Sequence, residues 1–353
     1  MSATAQAFAR ARLAPEEGAA LRSHIAAAAE GAGLLRPAPR YALARFVFLA
    51  SCFAACLALA WHASQVAVVA AAYAGLAYFV SQLAFVAHAT LHGASGTHRP
   101  LNFALGQLSM TLAAGLGYDE WKKRHRDHHR FCQIEERDPD MAVDLVVSLT
   151  QRSARSKPEG ARALGRYQGV YIWPLAFLFG HSQRFLSQAG VLRAPRRHAT
   201  DLAFLALHYA LWIALPLFVL QVSPERVLAA YLIPATLLGA HLAAVFWVNH
   251  VGMPLINDPA AFSFVERQVV TTRNIVVPGA LDKAFGGLNF QIEHHLLPAC
   301  PPHRLRALRE LLKPILVEAG LPYREMGWRE ALGEVRGHLS DVARTMNVRK
   351  ESP

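Results

Sequence analysis

Charge is scarce in this 353-residue chain: 17% of its residues are charged against 53% hydrophobic. That is too little to cover the surface of an ordinary soluble protein, so that class is excluded first. Acidic groups are scarcer than basic ones, 25 against 36, and the formal net charge is +11. Such a surplus often marks a nucleic-acid binder. Here the Lys and Arg gather beside apolar runs, where they face anionic lipid headgroups or set topology, and no nucleic-acid partner is expected. Cysteine is also sparse. Cys52 and Cys56 lie in an apolar run, while Cys132 and Cys300 lie close to histidines, and no spacing suggests a disulfide framework or a thiolate metal knuckle. The first forty residues lack an apolar core, so no cleaved signal peptide is expected.

What the chain does have is long apolar runs. Four are of bilayer-spanning length, at about 41–61, 64–87, 201–220 and 226–248. Short loops join the first to the second and the third to the fourth, which predicts two helical hairpins. The run at 102–118 is shorter and is interrupted by Gly106, Gly115 and Gly117, so a re-entrant or interfacial helix is expected there. The mixed stretch at 167–185, broken by Pro174, Gly180, His181 and Arg184, reads as a helix lying flat at the interface rather than a fifth span. A helix is expected from Pro15 to about Glu30, with Glu16 and Glu17 in its first turn. The fold expected is an all-α membrane protein with four transmembrane helices in two hairpins and a cytoplasmic helical cap. The chain divides into an N-terminal interfacial segment at 1–40, a membrane domain at 41–310 and a helical tail at 311–353.

Basic residues set the topology. The loops within the two hairpins are nearly free of them, whereas the N-terminal, central and C-terminal polar segments are rich in them. The positive-inside rule puts those three segments, and so the termini, in the cytoplasm.

Three histidine clusters then fall on one side of the membrane. They are His88-Ala-Thr-Leu-His92, the run Trp121–Arg130 with His125, His128 and His129, and Gln291-Ile-Glu-His294-His295. His250 lies at the exit of the last span. Residues at i, i+3 and i+4 share a helix face, so His88/His92 and His125/His128/His129 can each converge. Eight imidazoles with no Cys among them are too many for one tetrahedral zinc and suit two metals. Asp127 and Glu293 are placed to accept the second ring N–H and orient the rings. The other histidines, His24, His62, His98, His181, His198, His208, His241, His303 and His338, lack partners at ligand spacing and are taken as structural.

These motifs resemble the three histidine boxes of the membrane fatty acid desaturase superfamily. Asn249-His250-Val-Gly-Met-Pro, Thr271-Thr-Arg-Asn-Ile and Gly286-Gly-Leu-Asn-Phe-Gln-Ile-Glu-His-His resemble bacterial desaturases of the front-end and linoleoyl-CoA type. The resemblance implies a non-haem di-iron centre held by His88, His92, His125, His128, His129, His250, His294 and His295, with Gln291 in a hydrogen bond near the metals. It implies O2 as co-substrate, a fatty acyl chain as acyl-CoA or acyl-lipid, and a multi-pass place in the bacterial inner membrane. Box one has Ala89 where many front-end members carry Asp. The His-Pro-Gly-Gly motif of a fused cytochrome domain is absent, so a separate ferredoxin-type or cytochrome-type donor with its reductase is expected. A hydroxylase or ketolase is the alternative, because the same boxes serve those reactions. A metal transporter is disfavoured, since the spans carry almost no charge at mid-depth.

Overall fold

The computed structural model describes residues 13–96, 98–141, 147–279 and 281–347. The first twelve residues of the expected N-terminal segment and the last six of the tail lie outside them. The described chain is helical apart from one pair of three-residue strands. It divides into two compact units, one of Met1–Leu34, Arg124–Leu175 and Val245–Pro353, the other of Leu35–Lys123 and Ala176–Ala244.

The second unit holds the apolar runs. Helices α2 (Pro39–His62) and α3 (Val66–Leu91) are joined by residues 63–65, and α4 (Arg99–Gly106) leads into a π-helix, Gln107–Ala113. Beyond these come α5 (Tyr118–Phe131), α8 (Gln168–Arg193), α9 (Ala199–Tyr209), which continues as a π-helix to Val219, and α10 (Pro224–His250). Among the described residues, four helices are long and apolar enough to cross a membrane: Pro39–His62, Val66–Leu91, Ala199–Val219 and Pro224–His250. α8 is not one of them, although it is a continuous 26-residue helix through Pro174. α3 runs further than the apolar count suggested and carries His88 inside the helix, with His92 at its C-cap. The stretch expected as one short interfacial helix is instead α4 followed by a π-helix with Gln107, Ser109 and Thr111 fully buried.

Buried polar groups need partners, and here they fix the start of α5. Asp201 is fully buried and accepts from Gln107 Nε2 at 2.8 Å, Asp119 N at 3.1 Å and Glu120 N at 3.0 Å. The first amides of α5 are thus capped by a carboxylate distant in sequence, which also suits the helix dipole. Thr90 and Tyr118 share a hydrogen bond at 3.0 Å.

The first unit is built from α1 (Pro15–Gly31), the rest of α5, short helices α6 (Gln151–Ser156) and α7 (Glu159–Gly165), α11 (Phe264–Val270), α12 (Gln291–Leu296), α13 (Leu305–Glu318) and α14 (Trp328–Arg344). Strands β1 (Asn274–Val276) and β2 (Glu325–Gly327) pair in parallel. Leu305, Leu308, Leu312 and Leu316 recur at helical spacing and bury one face of α13; Ala331, Val335, Leu339 and Val342 do the same for α14.

In the second unit α8 and α10 meet backbone to backbone at Gly180 and Gly239. A Cβ on Gly180 would stand 2.5 Å from the Ala235 carbonyl oxygen, too close for any side chain. Gly180→Leu is expected to destabilise the protein by about 1–3 kcal/mol through overpacking. Thermal unfolding in detergent measures this, and a variant that melts with the wild type would contradict the close crossing.

Candidate metal centre

The first unit gathers six of the eight candidate histidines. α5 supplies His125, His128 and His129, the end of α10 supplies His250, and α12 supplies His294 and His295. On α5 the 3.6-residue period turns His125, His128, His129 and Cys132 towards one side. His125, His128, His294 and His295 are buried, and His129 and His250 nearly so.

His129 Nε2 lies 3.0 Å from His125 Nε2 and 3.1 Å from His294 Nε2. A ring nitrogen carries either one proton or one lone pair, so the central one can match one neighbour but not both. Nitrogens bound at about 2.1 Å to one ion and at right angles stand about 3 Å apart, so this spacing suits a shared cation.

The other three imidazoles are each tied through Nδ1 to an oxygen. His128 Nδ1 is 2.9 Å from Asp138 Oδ1, His250 Nδ1 is 3.3 Å from the Thr271 carbonyl, and His295 Nδ1 is 2.9 Å from Gln268 Oε1. Oxygens of these kinds accept, so Nδ1 carries a proton in each ring, which leaves Nε2 as the nitrogen that can give a lone pair to a metal once any proton or hydrogen bond on it is displaced. The ring centroids stand 4.8 Å apart for His128–His250, 4.9 Å for His250–His295 and 5.2 Å for His128–His295. His295 Nε2 is buried with no hydrogen-bond partner among the described residues. An unprotonated, unpartnered ring nitrogen facing other imidazoles is what a metal ligand looks like before the metal, so the donor set fits a divalent metal of the iron, zinc or copper kind. Burial and the neighbouring imidazoles hold the His295 pKa well down, which keeps that lone pair available.

Gln291 and Cys132 stand beside this group. Gln291 Oε1 accepts from Asn249 Nδ2 at 3.2 Å, which turns its Nε2 to His250 Nε2 at 2.9 Å. Cys132 Sγ is 3.5 Å from His250 Nδ1, and it joins His128, His250 and His295 in a set of potential donor atoms lying within 4.8 Å of one another. Cys132, close to the histidines in the sequence but not counted among the donors, therefore stands within ligand reach of them. Its spacing of four from His128 was the signal for it. Burial pushes the Cys132 thiol up, so it is held as a thiol and not as a thiolate donor.

Of the two carboxylates expected to orient rings, Glu293 differs from expectation, and a further one, Asp138, takes that role. Asp138, not among the expected orienting carboxylates, is the acceptor for His128, and it is fixed in turn by Gln133 N and Asp140 N. Asp127 is half-buried on α5. Glu293 accepts from Asn274 Nδ2 at 2.8 Å and Tyr323 Oη at 2.6 Å, so it anchors α12 rather than an imidazole. The Thr-Thr-Arg-Asn stretch supports the site at every position. The Thr271 carbonyl holds His250, and Thr272 Oγ1 donates to the Gln268 carbonyl. Arg273 donates to the Val248 and Val251 carbonyls at the end of α10 and pairs with Glu334, while Asn274 Oδ1 accepts from Ile292 N.

His88 and His92 belong to the other unit. They sit one turn apart with ring centroids at 4.9 Å, and Trp121 lies 5.9 Å from His88. Of the histidines set aside, His98 caps α4, His181 meets Thr236, His208 meets the Leu112 carbonyl and Tyr231, His241 meets Ser81, and His338 meets the Leu149 carbonyl.

Comparison with known proteins adds the following. The model of the fatty acid desaturase family matches residues 63–327. A Delta(8)-fatty-acid desaturase of Arabidopsis thaliana is 30% identical over 281 residues, covering 74% of this chain and 61% of the relative. A Delta(6)-fatty-acid desaturase of Caenorhabditis elegans is 27% identical over 280 residues, 75% of this chain and 61% of the relative. A Delta 8-(E)-sphingolipid desaturase of Emericella nidulans is 24% identical over 314 residues, 84% of this chain and 56% of the relative. The chain spans about three-fifths of the length of these curated relatives.

Burial by itself lowers the His128 pKa, but the Asp138 carboxylate, with Asp140 behind it, outweighs burial and raises it to about 9. Below that value the metal-free ring carries a second proton, on Nε2, and a metal must displace it. Metal affinity is therefore expected to rise with pH and level off near 9. Asp138→Asn should remove that dependence and lower the plateau affinity by about 10- to 100-fold. Chelator competition between pH 6 and 9.5 measures both, and an unchanged profile in the variant would contradict the assignment.

Proposed function

The chain belongs to the fatty acid desaturase family, and from that premise we propose that it places a cis double bond in a fatty acyl chain at a histidine-held pair of irons. The observation that carries this reading is the set of imidazoles tied through Nδ1 with Nε2 turned inward, in a chain that matches the family over residues 63–327. We assign His88, His92, His125, His128, His129, His250, His294 and His295 as the ligands, on the resemblance of the three histidine boxes. When bound, the irons supply O2 activation and the oxidising power for C–H cleavage.

The chain's own residues do the rest. Asp138, the Thr271 carbonyl and Gln268 keep the Nδ1 protons in place, so Nε2 of each ring is the nitrogen of fixed direction that a metal would take, free in His295, after loss of a proton in His128 and of the Gln291 hydrogen bond in His250. Gln291 gives a hydrogen bond at the His250 edge. The acyl chain, as acyl-CoA or acyl-lipid, gives up two hydrogens from adjacent methylenes. An external carrier of ferredoxin or cytochrome type supplies two electrons, two protons are taken up, and O2 leaves as two waters. Lys123, Arg126 and Arg130 are exposed on α5 and suit an acidic carrier or an anionic headgroup.

The topology belongs to the same proposal. α2 with α3, and the 199–219 helix with α10, form two hairpins whose connections at 63–65 and 220–223 hold no Lys or Arg. The histidine boxes then face the cytoplasm. The bacterial inner membrane remains the proposed location on the resemblance of the motifs, while the relatives compared are from a plant, a nematode and a fungus. The division into 1–40, 41–310 and 311–353 is proposed with it.

Gas chromatography–mass spectrometry of lipids from an expressing host tests the reaction. A new unsaturated acyl chain is expected, lost in His129→Ala together with bound iron. Hydroxylated or keto products with no new double bond would overturn the reading.

A further inference from the structure

Gln268 is fully buried on α11 and makes two contacts through one amide. Its Nε2 donates to the His129 carbonyl at 2.9 Å, and its Oε1 faces His295 Nδ1 at 2.9 Å. The orientation is forced. A carbonyl only accepts, so the NH2 group must point to His129, and the remaining oxygen must receive the His295 N–H. One side chain therefore fixes the backbone of the α5 histidine run and the tautomer of the α12 histidine. Neither of the other tied rings is held this way. His128 is held by a carboxylate ten residues on in its own segment, and His250 by a backbone carbonyl.

The α11 main chain that carries this side chain is itself braced. Thr272 Oγ1 donates to the Gln268 carbonyl at 2.6 Å. α11 opens with a capping box of Ser263 and Glu266. α1 braces that box: Leu13 N donates to Glu266 Oε1 at 2.8 Å, and Arg22 lies over the Phe264 ring at 4.4 Å. A Cβ on Gly18 would stand 2.3 Å from Ser263 Cβ, so α1 packs directly against the start of α11.

We propose that Gln268 is a positioning residue that couples the second histidine box to the third, aiming the buried, unpartnered Nε2 of His295 while holding His129 in register. The inference rests on the reading of both histidines as metal ligands. No motif marked Gln268 in the sequence, where it follows Glu266 and Arg267 in the Phe264–Val270 helix.

Two full-chain variants in detergent test it. Gln268→Met keeps the length and removes both contacts. Gln268→Glu keeps an acceptor for the His295 N–H but sets a carboxylate against the His129 carbonyl. Anaerobic iron loading with chelator competition gives affinity and iron per chain, and thermal unfolding of the metal-free proteins gives the structural contribution. Gln268→Met is expected to lose iron affinity by about 10- to 100-fold, with a much smaller effect on metal-free unfolding. Gln268→Glu is expected to bind iron more tightly than Gln268→Met. If Gln268→Met does not fold, Gln268→Leu replaces it in the same comparison. A Met variant that binds iron like the wild type overturns the proposal. So does an equal loss in the Met and Glu variants matched by an equal fall in metal-free stability, because that is a packing role only. Failure of the underlying metal reading looks different: the wild type itself would then take up no iron.

Discussion

A neutral imidazole has two nitrogens and one proton, and the first unit is arranged around where that proton sits. Burial makes the charged form costly, so a buried ring stays neutral unless a carboxylate stands next to it. Once neutral, it can offer a lone pair on one nitrogen only if something accepts the proton on the other. Asp138, the Thr271 carbonyl and Gln268 are those acceptors for His128, His250 and His295. Each comes from a different kind of structure, namely a turn, the end of a helix and a helix interior. The segments between the histidine clusters therefore cannot be treated as connections alone.

The acceptors need anchors, and several buried polar groups of the first unit supply them. Arg273 is fully buried, yet its guanidinium is matched by two carbonyls at the end of α10 and by Glu334 on α14. An unpaired buried cation would be strongly unfavourable, so this pairing ties the C-terminal helix to the position of His250. Asn274 and Tyr323 hold Glu293 in α12, and the β1–β2 pair brings Asn274 and Tyr323 together. In the second unit, Asp201 caps the start of α5 from far away in sequence.

Much of this is legible in the sequence. Runs of twenty or so apolar residues can satisfy their backbone groups in lipid only as helices, so the four candidate spans followed from length and composition, with ends displaced by a few residues. The histidine spacing put the rings of α5 on one side, as found for His125, His128 and His129. The acceptors were not legible. Asp138 stands in an Asp-Pro-Asp stretch, and a carboxylate that closes a turn and one that holds a ring have the same local sequence. Gln268 and Asp201 act across long separations, where periodicity carries no information. Glu293 sits beside two histidines but points to Asn274 and Tyr323, since neighbours along a helix face different ways. Cys132 stands four residues after His128, but a lone cysteine carries no thiolate-knuckle spacing, so its place among the rings was not legible.

The central claim is that imidazole nitrogens hold the metals while the nearby thiol of Cys132 stays outside the coordination shell. X-ray absorption at the iron K-edge on the loaded full-length chain tests it most directly. The account predicts a first shell of nitrogen and oxygen only, with the outer-shell scattering of several imidazole rings. A sulfur scatterer in the first shell, or the absence of imidazole scattering, would contradict it.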